Sequence, residues 1–169
     1  MLRRNLLMLG LASAGLAACG ARAPIGADGL PRATIFRITE ADAQVIPFRM
    51  TESVNTLRRA AGAAPVQLDP QLNAAAATHS RDMAVQNRPW HFGSDGSSPL
   101  DRLRRVGYAG GLVGEVISES FEDDTTTLAA WMEDPVTRAV ILDRTATRLG
   151  IAWFQEPGGK IWWTMVLGR

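Results

Sequence analysis

The sequence predicts an α+β fold in which helices pack on a mainly antiparallel sheet. Helical hydrophobic stripes, each opened by a capping or proline residue, occupy the middle of the chain, and two strand patterns separated by a turn close it. Helices that precede a terminal hairpin are typical of layered domains, because each element must bury its apolar face against another layer. Once the amino-terminal signal described below is removed, roughly 150 residues remain, which is enough for one domain with one core.

Five helices are predicted from capping residues and apolar spacing. Asp69 and Ser98 each precede a proline, a pairing that marks a helix start because the cap accepts free N–H groups and proline lacks one. His79 and Met83 continue an apolar stripe that begins at Leu72. In chain order, the predicted helices run from the cap Thr51 to about Ala61, from Pro70 to about Asn87, from Pro99 to a stop at Gly107, onward from a cap at Asp123 or Asp124, and briefly from Pro135.

The carboxy-terminal part of the chain predicts a hairpin. Leu149 to Gln155 and Lys160 to Leu167 have strand patterns, and residues 156–159 (Glu-Pro-Gly-Gly) form the turn between them. Gly111 to Ser120 is predicted to add a third strand. One face of the last strand is expected to carry Ile161, Trp163, Met165 and Leu167.

The first 18 residues are predicted to be a signal peptide. Arg3 and Arg4 precede an uncharged apolar run, which is too short to span a bilayer. The tetrad Leu16-Ala17-Ala18-Cys19 resembles a bacterial lipobox, so Cys19 is expected to carry a diacylglycerol that anchors the protein in a membrane. The chain is therefore predicted to be an exported lipoprotein, periplasmic or at the cell surface. Gly20, where an aspartate would favour the inner membrane, indicates the outer membrane.

Two segments lie between this anchor and the predicted domain. Residues 19–31 are rich in Ala and Gly and are interpreted as a lipidated tether. Residues 32–50 are predicted as an arm without assigned structure. Within it, Thr34 to Ile38 is either a short strand or an extended segment packed on the domain.

Charge and cysteine content exclude some classes of partner. The chain has 18 basic and 17 acidic residues, whereas a nucleic-acid partner would require a basic excess. Cys19 is the only cysteine, so the protein forms no internal disulfide.

An ordered set of short motifs resembles the bacterial branch of the CAP superfamily (cysteine-rich secretory proteins, antigen 5 and pathogenesis-related 1). The resemblance covers about Thr51 to Gly168. It implies an α–β–α sandwich and a CAP-like domain over residues 51–169. The motifs are Asn55-x-x-Arg58, Leu68-Asp69, His79-x-x-Asp82-Met83, His91, Asp95-Gly96, Asp101-Arg102, Gly107-Tyr108, Gly114-Glu115, Trp131-Met132, Pro135, Arg138, Leu149-Gly150-Ile151-Ala152 and Trp163-Thr164.

The same resemblance implies a central cleft with two histidines and two acids that can bind zinc. Here His91 fits the first histidine and Glu115 fits the acid of the Gly-Glu-Asn motif, while Asp134 stands at the second acid position. Trp162 occupies the family's aromatic or histidine position, and Thr137 replaces another histidine. The predicted ligand-binding residues are therefore His91, Glu115, Asp134 and Trp162. His91 and Glu115 could form a weakened zinc site, because zinc takes imidazole and carboxylate ligands.

Several residues have structural interpretations beside the functional ones. His79 is interpreted as a buried structural histidine, since it lies on an apolar stripe. A buried Glu115 needs a partner, so it has either a cleft role or a salt bridge to Arg102 or Arg138. A glycosidase pair of Glu115 and Asp134 would need a sugar cleft lined by tryptophans, but core packing is the favoured role of those tryptophans. No serine lies in a Gly-x-Ser-x-Gly elbow, which disfavours a catalytic triad with His91.

The sequence as a whole favours a non-enzymatic ligand-binding or scaffolding module of the cell envelope. The resemblance implies lipid, sterol-like or cell-wall-associated ligands, and no catalytic residue is assigned. The alternative is a metal-assisted envelope hydrolase in which Glu115 is the general base and His91 a ligand or acid. A third hypothesis is a rigid spacer or protein contact, which an exposed tryptophan patch on the last strand would favour.

Overall fold

The computed structural model describes residues 35–120 and 122–169. The predicted signal peptide, Cys19 and the tether lie outside them. The described residues form five helices and four strands. In chain order, these are α1 (Glu40–Ala60), β1 (Gln67–Leu68), α2 (Pro70–Gln86), α3 (Pro99–Arg105), β2 (Leu112–Ser120), α4 (Asp124–Glu133), α5 (Pro135–Ile141), β3 (Arg148–Gln155) and β4 (Ile161–Gly168).

The four strands form one sheet in the order β1-β3-β4-β2. The β3–β4 and β2–β4 pairs are antiparallel, whereas the two-residue β1 pairs with β3 in parallel. The predicted mainly antiparallel sheet is therefore confirmed, with the short parallel edge β1 as an unpredicted addition. Every residue of β4 is buried, because β4 lies inside the sheet and both of its faces are covered.

Helices cover the two faces of the sheet, which confirms the α–β–α sandwich. On one face, residues of α1, α4 and α5 pack against alternate β4 side chains, among them Trp163 and Met165. On the other face, Leu72 and Ala76 of α2 pack against Ala152 and Val166. A methyl group added at Gly150 would lie 2.2 Å from the Leu72 carbonyl carbon, so α2 depends on a glycine in β3 to approach this closely.

Helix α1 differs from the prediction. The expected cap at Thr51 is wrong, because the helix begins at Glu40, where Thr39 and Asp42 form a capping box. Residues 40–50, predicted as an arm, thus form the first half of α1. Pro47 lies inside the helix, where its missing N–H removes one backbone bond. Burial of Ile46 and Met50 in the core offsets that loss.

The other helix signals are confirmed. Asp69 accepts the N–H groups of Gln71 and Leu72 at the start of α2. Ser98 forms a capping box with Asp101 at the start of α3. The cap of α4 is Asp123 rather than Asp124. No helix in the described ranges is long and apolar enough to cross a membrane.

Residues 35–39 pack on the hairpin and are not part of the sheet. The Ile38 N–H donates to Gln155 Oε1 at 3.0 Å, and Gln155 Nε2 donates to the Phe36 carbonyl at 2.8 Å. Residues 35–39 have no strand assignment. Of the two alternatives for this segment, the structure shows the packed arm for residues 35–38.

Candidate functional site

The Glu115 carboxylate lies under the α2 layer of the sandwich. Glu115 pairs with Val166 across the β2–β4 ladder, and its side chain is 2 % exposed. Because side chains alternate along a strand, its neighbour Val116 points into the opposite core. A carboxylate buried to this degree requires compensating donors.

Arg102 is the principal partner of Glu115. Its Nη2 lies 2.8 Å from Oε1 and 2.7 Å from Oε2 of the carboxylate. The Arg102 side chain is 3 % exposed, and its guanidinium also donates to the carbonyls of Ser97 and His91. The structure shows the salt bridge of Glu115 to Arg102. Arg138 instead donates to the Met132 carbonyl.

Two histidines complete the cluster, which we define as His79, His91, Arg102 and Glu115. His91 Nδ1 lies 2.9 Å from Glu115 Oε1, and the His91 side chain is 50 % exposed. His79 is buried, with Nε2 2.9 Å from the Trp90 carbonyl and 3.6 Å from Glu115 Oε1. Since a carbonyl only accepts, His79 Nε2 carries the hydrogen, and Nδ1 has no partner among the described residues.

The cluster favours an ionised Glu115 and a neutral His79. Burial by itself raises the pKa of the Glu115 carboxyl, but the hydrogen bond from His91 and the charge and hydrogen bonds of Arg102 outweigh it, so the pKa is lowered. Burial lowers the pKa of His79, against the opposing effect of Glu115. The stable charged pair is therefore Glu115 with Arg102.

Asp134 lies apart from the cluster, and Trp162 makes no polar contact with it among the described residues. Asp134 caps α5, in the helical layer on the other face of the sheet, and its carboxylate accepts the Val136 N–H at 2.7 Å. Trp162 is fully buried, and its Nε1 donates to Glu156 at 2.7 Å. Neither residue has a hydrogen bond or ion pair to the cluster within the described part of the chain.

The cluster does not fit zinc. Both Glu115 oxygens are bound by the Arg102 cation, which would repel a metal ion placed beside them. His79 Nε2 and His91 Nδ1 carry hydrogens toward their partners, so the outward Nε2 of His91 is the accessible nitrogen, and one ligand does not make a zinc site. No group of three His, Cys, Asp or Glu side chains suited to a metal occurs within residues 35–120 and 122–169.

The loop after α2 is held by two residues one helical turn apart. His79 binds the Trp90 carbonyl, and Asp82 accepts the Ser94 N–H at 2.7 Å and the Ser94 hydroxyl at 2.5 Å. Sequence reasoning treated His79 as purely structural and so missed its place beside Glu115. The His79-x-x-Asp82 spacing was visible in the sequence, and it indicates two polar side chains on the same helix face.

Comparisons with known proteins agree with this fold. The family model described as the cysteine-rich secretory protein family, CAP, matches residues 51–167. The uncharacterized protein YkwD of Bacillus subtilis is 27 % identical over 121 residues, which cover 72 % of this chain and 46 % of YkwD. The chain therefore spans less than half the length of this relative.

Solved structures share the fold at low sequence identity. An extracellular protein containing an SCP domain from Bacillus anthracis aligns with a TM-score of 0.69 and 22 % identity over 79 % of this chain and 45 % of that one. An outer surface protein of Borrelia burgdorferi aligns with a TM-score of 0.67 and 13 % identity over 79 % of this chain and 96 % of that one. With the family model matched across most of the chain, the sandwich and its motifs place this protein in the CAP family.

Proposed function

We propose that this protein is a non-enzymatic binding module of the cell envelope, exported and held on a membrane through lipidated Cys19. The observation that carries the non-enzymatic part is the state of Glu115. Its carboxylate is 2 % exposed and has both oxygens bound by Arg102. In this arrangement Glu115 stabilises the fold and orders the loop that carries His91.

The hydrolase alternative requires Glu115 to accept a proton from a water molecule. A general base works best when its pKa lies near the working pH and the water can reach it. The pKa of Glu115 is shifted down, away from neutrality, and the side chain is shielded from solvent. Trp162 and Trp163 are fully buried in the core, which argues against a tryptophan-lined sugar cleft and against a tryptophan contact patch on β4.

Export and anchoring are supported by the amino-terminal sequence. Two arginines, an apolar run and the Leu-Ala-Ala-Cys tetrad are the features of a lipoprotein signal. Two proteins that share the fold are described as an outer surface protein and an extracellular protein. A lipid-linked domain of this kind would present its binding surface near the membrane that holds it.

A zinc titration of the full chain tests the non-enzymatic assignment. We expect neither heat of binding nor a rise in melting temperature with zinc, for the wild type and for His91→Ala alike. Zinc binding in the micromolar range that is lost in His91→Ala would contradict the proposal. At about 100-fold excess over the dissociation constant, bound zinc would stabilise the protein by about 2.7 kcal/mol. That result would favour the hydrolase.

A Cys19→Ser variant tests the anchor. Cells fed a labelled fatty acid should label the wild type and not the variant, and fractionation should move the variant from the membrane to the soluble fraction. An Ala21→Ser variant, two residues away, serves as the control and should remain labelled. Absence of the label from the wild type would exclude lipidation as the anchor.

A further inference from the structure

A groove lies between α2, α3 and the loop over residues 93–98, beside the His79–His91–Arg102–Glu115 cluster. Its volume is about 420 Å³, which is in the range of small-ligand sites. Arg102 contributes to the groove wall and also binds Glu115. The groove is thus supported by the rigid cluster but does not include the Glu115 carboxylate.

The acidic side chains that line the groove are already satisfied. Asp82 accepts both the N–H and the hydroxyl of Ser94. Asp95 accepts the Ser97 N–H at 2.9 Å and an Arg105 nitrogen at 2.6 Å. Because these carboxylates have donors within the protein, they do not require a cationic ligand.

Arg81 is the cation that the groove leaves available. It projects from α2 as an exposed residue that lines the groove. Within the described ranges it has no hydrogen bond and no ion pair, whereas Arg105 is paired with Asp95. A guanidinium presents N–H groups in a fork that matches the two oxygens of a carboxylate.

The uncharged lining comprises three aliphatic and three hydroxyl residues, and the hydroxyls of Thr78 and Ser94 already donate to Ala74 and Asp82. Ala75 and Val85 of α2 face the groove, as does Val106 after α3. Val85 is 80 % exposed, so an apolar surface remains uncovered next to the cation. A ligand that fills this space must combine small aliphatic groups with one negative charge.

We infer that this groove binds the carboxy-terminal end of a short peptide with small aliphatic side chains, with the carboxylate on Arg81. A monoanionic carboxylate matches one available guanidinium through two parallel N–H···O bonds. The volume suits about two small residues. This inference rests on the proposed function, since it names the class of envelope ligand that the module binds.

Titration of the full chain in mild detergent with N-acetyl-Ala-Ala, followed by NMR, tests the assignment. The free acid should shift resonances of groove residues, and its carboxy-terminal amide should bind at least about tenfold more weakly, because a hydrogen bond to a charged group is lost. Arg81→Gln should reduce affinity for the acid by a similar factor without affecting the amide. Val85→Asp, at an exposed position, should also weaken binding of the acid, because the new carboxylate would repel the carboxylate of the peptide. Arg59→Gln, on α1 in the other layer, is the matched control and should bind like the wild type.

Three outcomes would overturn the inference. Equal binding of the acid and the amide would show that the carboxylate is not recognised. Equal losses of affinity in Arg81→Gln and Arg59→Gln would show that the peptide does not bind in the groove. Binding of dihexanoyl phosphatidylglycerol at Arg81, with no response to the peptide acid, would assign the groove to lipid head groups instead. The Cys19→Ser fractionation is independent of all three, so failure of the groove and failure of the envelope assignment are distinguishable.

Discussion

At the residue scale, the cluster resolves a conflict between burial and charge. Glu115 and Arg102 are both almost fully buried, and each alone would be costly to keep ionised in the interior. Their contact, with added bonds from Arg102 to backbone carbonyls, makes burial tolerable and fixes the loop that carries His91. The ion pair of Glu115 therefore stabilises the packing of the interior and orders the loop.

Removal of one charge from this pair should be more damaging than removal of both. We expect Glu115→Gln to lower the free energy of unfolding by about 3–5 kcal/mol, because Arg102 is left buried without its anion. The double variant Glu115→Gln, Arg102→Met should lose less stability than Glu115→Gln alone. Urea denaturation measures both. Glu52→Gln, which breaks an exposed pair with Arg59, should cost under about 1 kcal/mol. A loss of that small size in Glu115→Gln would contradict the role assigned to the pair.

Protonation of His79 should make the protein less stable in acid. Burial lowers the pKa of His79, so between its folded pKa and its unfolded value of about 6.5 the unfolded chain binds more protons. The stability from a neutral His79 is complete above that unfolded value and is lost as pH falls toward the folded pKa. Glu115 acts in the same direction at lower pH, since its pKa is lowered too.

The measurement is urea denaturation of wild type and His79→Gln across this range of pH. We expect the free energy of unfolding of the wild type to fall as pH drops below about 6.5, and we expect His79→Gln to lose most of that slope above the range where carboxylates titrate. An unchanged slope in the variant would assign the acid sensitivity to other groups.

At the element scale, α1 is a helix whose first half was not predicted, because a proline lies within it. Pro47 interrupts the local pattern, but the capping box at Thr39 opens the helix eight residues earlier. Ile46 and Met50 then enter the same core as Val54. The segment before Thr51 is consequently part of the folded domain and contributes to its stability.

Adjacent residues of α1 provide a matched test of this point. Ile46→Ala should lower the free energy of unfolding by about 2–5 kcal/mol, because it leaves a cavity in the core. Val45→Ala, at a side chain that is 46 % exposed, should change it by about 0.5 kcal/mol or less. Thermal or urea denaturation measures the difference. Equal small effects would mean that residues 40–50 are a dispensable arm after all.

At the scale of the whole molecule, β4 connects the two helical layers. All of its residues are buried, with alternate side chains in the α1–α4–α5 core and in the α2 core. Loss of either layer would expose one face of this strand to water, which is unfavourable in proportion to the apolar area uncovered. The two layers should therefore unfold together.

This coupling predicts a single unfolding transition. Far-ultraviolet circular dichroism reports the helices of both layers, and tryptophan fluorescence reports the core around β4. We expect the two urea curves to superimpose, as in two-state unfolding of a small domain. Loss of helical signal at a lower urea concentration than the fluorescence change would show that one layer separates first.

Local signals determined much of the fold from sequence alone. The caps Asp69 and Ser98, the glycine-rich turn and the alternation in β4 act over a few residues, so α2, α3 and the hairpin were predictable before the structure was known. The family motifs supplied the sandwich and pointed to His91 and Glu115. Charge composition likewise needs no structure to disfavour a nucleic-acid partner.

Only the tertiary structure decided which side chains meet. Glu115 joins Arg102, His79 and His91 because strand β2 directs it toward α2, whereas Asp134 begins a helix on the other face of the sheet. The length of α1 also depends on distant contacts, since the core that buries Ile46 is built by strands far along the chain. Caps and turns are set by neighbours in sequence, but burial and ion pairing are set by neighbours in space, and that difference separates what could be predicted from what could not.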